Sequence, residues 1–164
     1  MFSKRRFPPR ISAAEALDAI LARADYPADA LVRKLTDRGY SRDDAERAVS
    51  DAISGGWVDD GRLLERVIPA LIRQGKGPRA IRADLLRRGF SASDVENVDF
   101  DLILESAEYA GRDADMVAAC RELINKKCEV IGGRLAPKSY AMLARRGYTQ
   151  EIIRLALESA GEDG

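Results

Sequence analysis

The 164-residue chain contains no histidine. Histidine is the only side chain whose unperturbed pKa places its change of charge between pH 5 and 8. Its absence excludes histidine as a general acid or base, Ser-His-Asp and Cys-His nucleophiles, and zinc sites with histidine ligands. Because glycine-rich phosphate loops and carboxylate constellations are also missing, no reaction class can be assigned. The sequence therefore predicts a protein that is not an enzyme and that binds no metal or cofactor.

The chain has only two cysteines, Cys120 and Cys128. They fall in a segment predicted to be one helix, whose rise separates them by about 12 Å. This distance excludes a disulfide between them, and two thiols are too few for a structural zinc site. We interpret both as small hydrophobic residues of a reducing compartment.

Long apolar runs and an excess of positive charge are absent as well. The sequence contains no run of 18 apolar residues, so no membrane span is predicted. The opening segment, MFSKRRFPPR, lacks the apolar core of a signal peptide, so we interpret residues 1–12 as a flexible basic arm of a cytoplasmic protein. Lys and Arg number 27, as do Asp and Glu, and the net charge is zero. Any affinity for nucleic acid would therefore depend on local segregation of charge.

One short motif occurs three times, as LTDRGYS, LLRRGFS and LARRGYT. A glycine in the left-handed conformation just past a helix brings the next residue against the residue four positions before the glycine. In the second copy, Gly89 would bring Phe90 against Leu85. The corresponding residues of the other copies are Leu35, Gly39 and Tyr40, and Leu143, Gly147 and Tyr148.

The residues after each motif glycine also predict the start of the next helix. Ser91 is a predicted N-cap with Asp94 three residues later, and the aromatic Phe90 is expected to contact Val95. Three prolines, Pro27, Pro78 and Pro137, lie 12, 11 and 10 residues before the motif glycines. Proline is favoured in the first turn of a helix, so each middle helix is predicted to begin at a proline and end at a glycine.

Apolar residues spaced by three and four predict an all-α fold of nine helices. Together they form three predicted repeats of three helices, at 13–56, 57–109 and 113–160. The segment GGRLAP at 132–137 is predicted to be the longest loop inside a repeat. The predicted helices are 13–24, 27–38, 42–54, 60–74, 78–88, 92–108, 113–128, 137–146 and 150–160.

Four residues in or near the fourth helix have specific predictions. Asp59 and Asp60 are expected to cap the helix rather than to bind a metal, since adjacent carboxylates point apart. Trp57 is expected to pack between repeats. Pro69 is expected to bend the helix, because it removes one backbone hydrogen bond.

Positive charge is concentrated in the second repeat. Residues 73–88 contain six cationic side chains and a single acidic one, Asp84. Arginines in a last helical turn complement the helix dipole, so each has a structural explanation when taken singly. As a group they repel one another, which favours a binding function. This candidate partner-binding or DNA-binding set, the basic segment, comprises Arg73, Lys76, Arg79, Arg82, Arg87 and Arg88.

The segment GGWVDDGRLLERVIPALIRQGKGPRAIRADLLRRGFS resembles the RecX family of regulators of the RecA recombinase. The likeness is most specific from Leu35 to Ser91 and continues in register from Asp113 to Ser159. The resemblance implies an elongated, curved array of three tandem three-helix repeats. It also implies a monomeric protein that binds the RecA filament in its helical groove, with DNA reached through the filament, and that inhibits ATP hydrolysis, strand exchange and co-protease activity during DNA repair and the SOS response.

Two other functions remain open from the residues alone. The first is a DNA-binding module that needs no RecA, which zero net charge disfavours because the electrostatic part of the affinity scales with the phosphates neutralised. The second is a helical scaffold for an unrelated protein partner.

Overall fold

The structure, a computed structural model, describes residues 10–100 and 116–160. The described residues are mostly helical, which confirms the predicted all-α class apart from one two-stranded antiparallel hairpin. Residues 1–9 of the predicted basic arm and 101–115 of the predicted sixth and seventh helices lie outside them. The elements are α1 (Ala13–Leu21), α2 (Ala28–Asp37), α3 (Arg42–Ser54), α4 (Asp60–Arg73), α5 (Pro78–Arg88), α6 (Ala92–Glu96), α7 (Met116–Lys127), β1 (Val130–Ile131), β2 (Arg134–Leu135), α8 (Pro137–Arg145) and α9 (Gln150–Ala160).

The chain divides into two compact units that each take residues from more than one stretch of sequence. The first unit consists of Met1–Leu63 and Leu86–Val95, and the second of Leu64–Leu85 and Glu96–Gly164.

The core of the first unit is formed by α1, α2 and α3. Leu17, Leu31 and Val49 represent these three helices in one cluster of buried side chains. The helix α1 begins with a capping box, in which Ser12 Oγ accepts from the Glu15 amide and the Glu15 carboxylate accepts from the Ser12 amide. Local capping and a shared apolar face therefore explain this three-helix packing.

All three motif glycines have the left-handed backbone conformation, with φ of 102° at Gly39, 99° at Gly89 and 88° at Gly147. In the first copy the Tyr40 amide donates to the Leu35 carbonyl at 3.3 Å, as a Schellman stop requires. The Tyr148 amide makes the same bond to Leu143 in the third copy. The motif leucines, Leu35, Leu85 and Leu143, are completely buried.

A second reason for glycine in the motif is the closeness of another helix. In the second unit, a Cβ placed on Gly147 would lie 2.4 Å from the Ala80 amide nitrogen of α5. The Gly77 amide donates to the Arg146 carbonyl at 2.7 Å, and the Arg79 amide donates to the Gly147 carbonyl at 3.2 Å. In the first unit, a Cβ on Gly89 would lie 2.8 Å from the Ala30 Cβ of α2. The turn at Gly147 therefore packs directly on the backbone of α5, and the turn at Gly89 packs on the Ala30 and Arg33 side chains of α2.

Asp59 and Asp60 cap two different helices, so the prediction that both cap the fourth helix is wrong for Asp60. Asp59 Oδ1 accepts from the Arg62 amide of α4 at 2.9 Å. The Asp60 carboxylate instead accepts from the Ala28 amide at the start of α2, at 3.0 and 3.2 Å. Pro27 occupies the N-cap of α2 and has no side-chain acceptor, so a residue distant in sequence supplies it.

The segment 132–137, predicted to be the longest loop inside a repeat, supplies the turn and the second strand of a short β-hairpin that the sequence did not predict. Val130 pairs with Leu135 and Ile131 pairs with Arg134. Gly132 and Gly133 form the turn with φ of 57° and 75°. Positive φ at both central residues suits a two-residue hairpin turn, which makes two adjacent glycines between apolar residues a hairpin signal.

The predicted helix 92–108 is also wrong in its extent. The helix α6 ends at Glu96, and residues 97–99 are not helical. Asn97 and Asp99 carry short polar side chains that compete for backbone hydrogen bonds, and Val98 is buried between them. By contrast, α4 continues through Pro69, whose side chain is buried.

We predict that Gly147→Ala destabilises the protein more than Gly133→Ala. Both positions have positive φ, which costs an alanine about 1–2 kcal/mol. Only Gly147 also faces backbone, since a Cβ on Gly133 would meet nothing within 4 Å. Overpacking should add roughly 1–3 kcal/mol at Gly147. Urea unfolding of both variants measures the difference, and equal losses would contradict the close packing of this turn on α5.

We predict that the stability of the wild type relative to Asp60→Asn falls as the pH rises. Burial raises the pKa of the Asp60 carboxyl above its ordinary value of 3.8, and Asp94, Asp29 and Asp59 add to the effect. A raised folded-state pKa contributes stability that is complete below the unfolded pKa and is lost as the pH rises through the folded pKa. The asparagine amide keeps an acceptor for Ala28 but does not titrate. Unfolding midpoints from pH 3.5 to 7 test this, and a difference that grows with pH would refute it.

Candidate functional site

The basic segment runs from the end of α4 to the end of α5. Arg73 and Lys76, with Arg79 and Arg82, belong to the second unit, whereas Arg87 and Arg88 belong to the first. The helix α5 buries Ile81 and Leu85 on one face. Exposed side chains of the segment are Arg73, Arg79, Arg87 and Arg88, and half-buried ones are Lys76 and Arg82.

Lys76 is part of the packing of the second unit. Its Nζ lies 2.7 Å from Oδ2 of Asp84, and the side chains are 31% and 12% exposed. Asp84 lies on the buried face of α5, where an ionised carboxylate requires a partner. Lys76 therefore has a structural role in the second unit. Asp84, the one acid between residues 73 and 88, is paired with this lysine.

Arg82 stacks on an aromatic ring. Its guanidinium carbon lies 4.9 Å from the centroid of the Phe100 ring, within range of a cation–π interaction. The side chain is half-buried, so this contact fixes its direction. A substitution at Arg82 would therefore change packing as well as charge.

Arg79 differs from the other five cations. Its side chain is exposed and makes no hydrogen bond or ion pair with any residue that the structure describes. Its amide is held by the Gly147 carbonyl in the first turn of α5. Arg73, Arg87 and Arg88 each interact with another group of the protein. Arg79 thus offers a fixed backbone and a free guanidinium.

The arginine that precedes the motif glycine has a structural role beyond the complement to the helix dipole that the sequence predicts. In the second unit, Arg146 Nη1 lies 3.4 Å from the Gly75 carbonyl and 3.5 Å from the Gln74 carbonyl, just past the end of α4. In the first unit, Arg38 Nη1 lies 3.5 Å from the Ala16 carbonyl. The carbonyls just past the end of α4 lack partners within that helix, so the Arg146 guanidinium can satisfy them, whereas the Ala16 carbonyl lies inside α1 and gains a second donor. The recurrence of arginine at this position was the available signal.

The motif aromatics are unsuited to stacking on bases. Phe90 and Tyr148 are 4% and 2% exposed. Tyr40 is half-buried, and its hydroxyl donates to the Ile11 carbonyl at 3.0 Å. Burial raises the pKa of the Tyr148 phenol to about 12, so this side chain stays neutral at physiological pH. These aromatics serve packing.

Trp57 is 79% exposed, so the prediction that it packs between repeats is wrong. Its indole lies over Gly55, where an added Cβ would be 2.9 Å from the ring. In the Trp-Val-Asp-Asp segment, the two aspartates cap helices α4 and α2, and the tryptophan ring covers the turn at Gly55. The rest of that ring is exposed to solvent.

The two thiols lie on and just after α7. Cys120 is fully buried, and burial raises its pKa to about 12. Burial also raises the pKa of the half-buried Cys128. Since the thiolate is the nucleophile, neither environment activates the sulfur.

Residues 10–100 and 116–160 contain no group of three or more Cys, Asp or Glu side chains that could hold a metal ion. None of the helices in this part of the chain combines the length and the apolar character that crossing a membrane requires.

The chain is similar along nearly its whole length to proteins named regulatory protein RecX. The one from Xanthomonas citri is 32% identical over 162 residues, which cover 97% of this chain and 93% of that protein. The one from Vibrio vulnificus strain CMCP6 is 30% identical and covers 92% and 94%. The one from Stenotrophomonas maltophilia strain R551-3 is 27% identical and covers 98% and 94%. No family model matches the chain.

We predict that Lys76→Gln destabilises the protein by about 1–3 kcal/mol, the cost of a lost partner for a buried polar group. The matched variant Arg79→Gln removes the same charge from an exposed side chain and should change stability by less than about 0.5 kcal/mol. Urea unfolding distinguishes the two. If Arg79→Gln proved the more destabilising, the division into structural and free cations would be wrong.

Proposed function

Because the chain belongs to the RecX family, we propose that it binds the filament that the RecA recombinase forms on DNA and inhibits the reactions of that filament. These reactions are ATP hydrolysis, strand exchange and co-protease activity, so the protein would act in DNA repair and in the SOS response. The observation that carries the proposal is the similarity to RecX proteins over 97% of the chain. Those relatives are named regulatory proteins, which accords with regulation by binding.

The proposed binding mode is insertion into the helical groove of the filament, by a monomer in the cytoplasm. Inhibition of the filament's reactions by such a protein would increase with the fraction of groove sites that it occupies. A helical protein that presents arginines along a helix face can contact acidic protein surface or DNA phosphates at the groove wall. Among the exposed cations of the basic segment, Arg79 is the one whose side chain has no partner among the described residues.

Arg79 is the best-supported contact residue of the basic segment. Its guanidinium has no partner among the described residues, so binding does not require an internal ion pair to break first. The hydrogen bonds from the Gly77 and Arg79 amides hold the first turn of α5 in place. A fixed backbone reduces the entropy that is lost when the side chain is immobilised at an interface.

The proposal predicts that the purified protein, at a few-fold molar excess over RecA, suppresses the ATPase activity of RecA on single-stranded DNA. Strand exchange should fall over the same range of concentrations, since both reactions need the assembled filament. A titration of the ATPase rate makes this measurement. Unchanged ATP hydrolysis and unchanged strand exchange would contradict the proposed function.

We further predict that Arg79→Glu raises the half-inhibitory concentration by about tenfold or more, since a loss of 1.4 kcal/mol corresponds to a factor of ten. Glutamate is favoured near a helix N-terminus, so the fold should be retained. Combining it with Arg82→Glu should weaken inhibition further. The matched control is Arg23→Glu, which reverses an exposed charge in the first unit. Equal inhibition by Arg79→Glu and the control would remove Arg79 from the interface.

A further inference from the structure

The β-hairpin of the second unit is held firmly at its base and is open at its tip. The Ala136 amide donates to the Glu129 carbonyl at 2.9 Å and closes the base. The Glu129 amide donates to Oγ of Ser139, at 2.9 Å, which ties the hairpin to the first turn of α8. At the tip, a Cβ on Gly132 or Gly133 would meet nothing within 4 Å. A ligand can therefore approach the turn closely.

The hairpin exposes apolar side chains that no fold requirement explains. Val130 is 45% exposed and Ile131 is 64% exposed. Successive residues of a strand point to opposite faces, so these two side chains lie on different faces of the ribbon. Ile131 is paired across the ribbon with Arg134, beside the glycine turn. The tip thus carries an aliphatic group and a guanidinium side by side.

Cations flank the hairpin in the sequence, and one of them, Arg134, lies in the hairpin itself. Lys127 at the end of α7, Arg134 in β2 and Lys138 in the first turn of α8 are exposed. Their side chains make no ion pair with any residue of the described ranges. The neighbouring Lys126 is paired with Glu122, and within residues 122–138 of the sequence the other carboxylate is that of the exposed Glu129. These three cations, each on a different helix or strand, are therefore available to an anionic partner.

We propose that this hairpin is a nucleic-acid contact, in which Lys127, Arg134 and Lys138 neutralise backbone phosphates and Ile131 packs against sugar or base. A two-stranded β-ribbon fits the major groove of DNA. Minor-groove proteins combine cations with aliphatic side chains inserted at base steps. An acidic protein surface would complement the cations equally, but the narrow ribbon with an open glycine turn and a flanking aliphatic side chain favours a groove or an unstacked strand. This contact is separate from the basic segment and does not depend on RecA.

The test measures binding of the full chain to fluorescently labelled oligonucleotides in the absence of RecA. Anisotropy is recorded over a NaCl series with one sequence, both as a single strand and as a duplex. Removing three phosphate contacts should reduce the slope of log K against log salt by about 2 on the single strand and about 3 on the duplex. The variant Lys127→Gln, Arg134→Gln, Lys138→Gln should show this reduction. The form that the wild type binds more tightly at the same salt concentration is the preferred ligand.

The matched control is Arg23→Gln, Arg42→Gln, Arg47→Gln, which removes the same charge from exposed arginines of the first unit. It should keep the wild-type slope. A separate variant, Ile131→Ser, should weaken binding several-fold without changing the slope, because it removes no charge. Urea midpoints of all variants establish that each is folded.

Three results would overturn the proposal. The first is that the wild type binds neither oligonucleotide at low salt. The second is that the hairpin variant and the control have equal slopes. The third is that poly-L-glutamate displaces the oligonucleotide at a lower charge concentration than unlabelled DNA does, which would assign the hairpin to an acidic protein. None of these measurements contains RecA, so their failure is distinguishable from failure of the proposed function.

Discussion

In the second unit, the turn at Gly147 packs directly on the backbone of α5. The packing of the described residues of this unit depends on that contact. At Gly147 the separation leaves no room for a side chain, because an added Cβ would lie 2.4 Å from a backbone nitrogen of α5. Gly77, on the opposite side of the contact, is equally constrained, with 2.4 Å from its added Cβ to the Tyr148 nitrogen. Backbone-to-backbone hydrogen bonds then satisfy amides at the start of α5 that its own helix cannot.

This contact divides the arginines by role. Arg146, which precedes the motif glycine, satisfies carbonyls beyond the end of α4 and belongs to the architecture. Arg79 lies one residue from Ala80, so its backbone belongs to the same contact while its side chain faces solvent. The same turn therefore holds the helix and presents the cation that we assign to the partner. A change in the turn would be expected to affect both stability and binding.

Sequence reasoning succeeded where the cause is local. The helix stop at Leu35, Gly39 and Tyr40 follows from rules that act within six residues, and so does the cap at Ser41, whose Oγ accepts from the Asp44 amide. It failed where the cause is distant. Asp60 caps a helix that begins 32 residues earlier, and no short-range rule indicates such a partner.

The candidate site shows the same division. The concentration of cations between residues 73 and 88 was visible in the sequence, but their separation into paired and free groups was not. Lys76 lies before the start of α5 and Asp84 lies eight residues later on its buried face, so no helical spacing rule indicates their ion pair. Arg82 likewise contacts Phe100, a residue beyond α6. The hairpin was overlooked because two residues per strand are too few to show an alternating pattern.

Residue-resolved amide hydrogen exchange tests the central contact most directly. The Gly77 and Arg79 amides donate across the contact to Arg146 and Gly147, whereas amides at the start of a helix ordinarily exchange rapidly with solvent. Our account predicts that both are protected in the native protein and lose that protection in Gly147→Ala, while the amides inside α9 keep theirs. Rapid exchange of Gly77 and Arg79 in the native protein would contradict it.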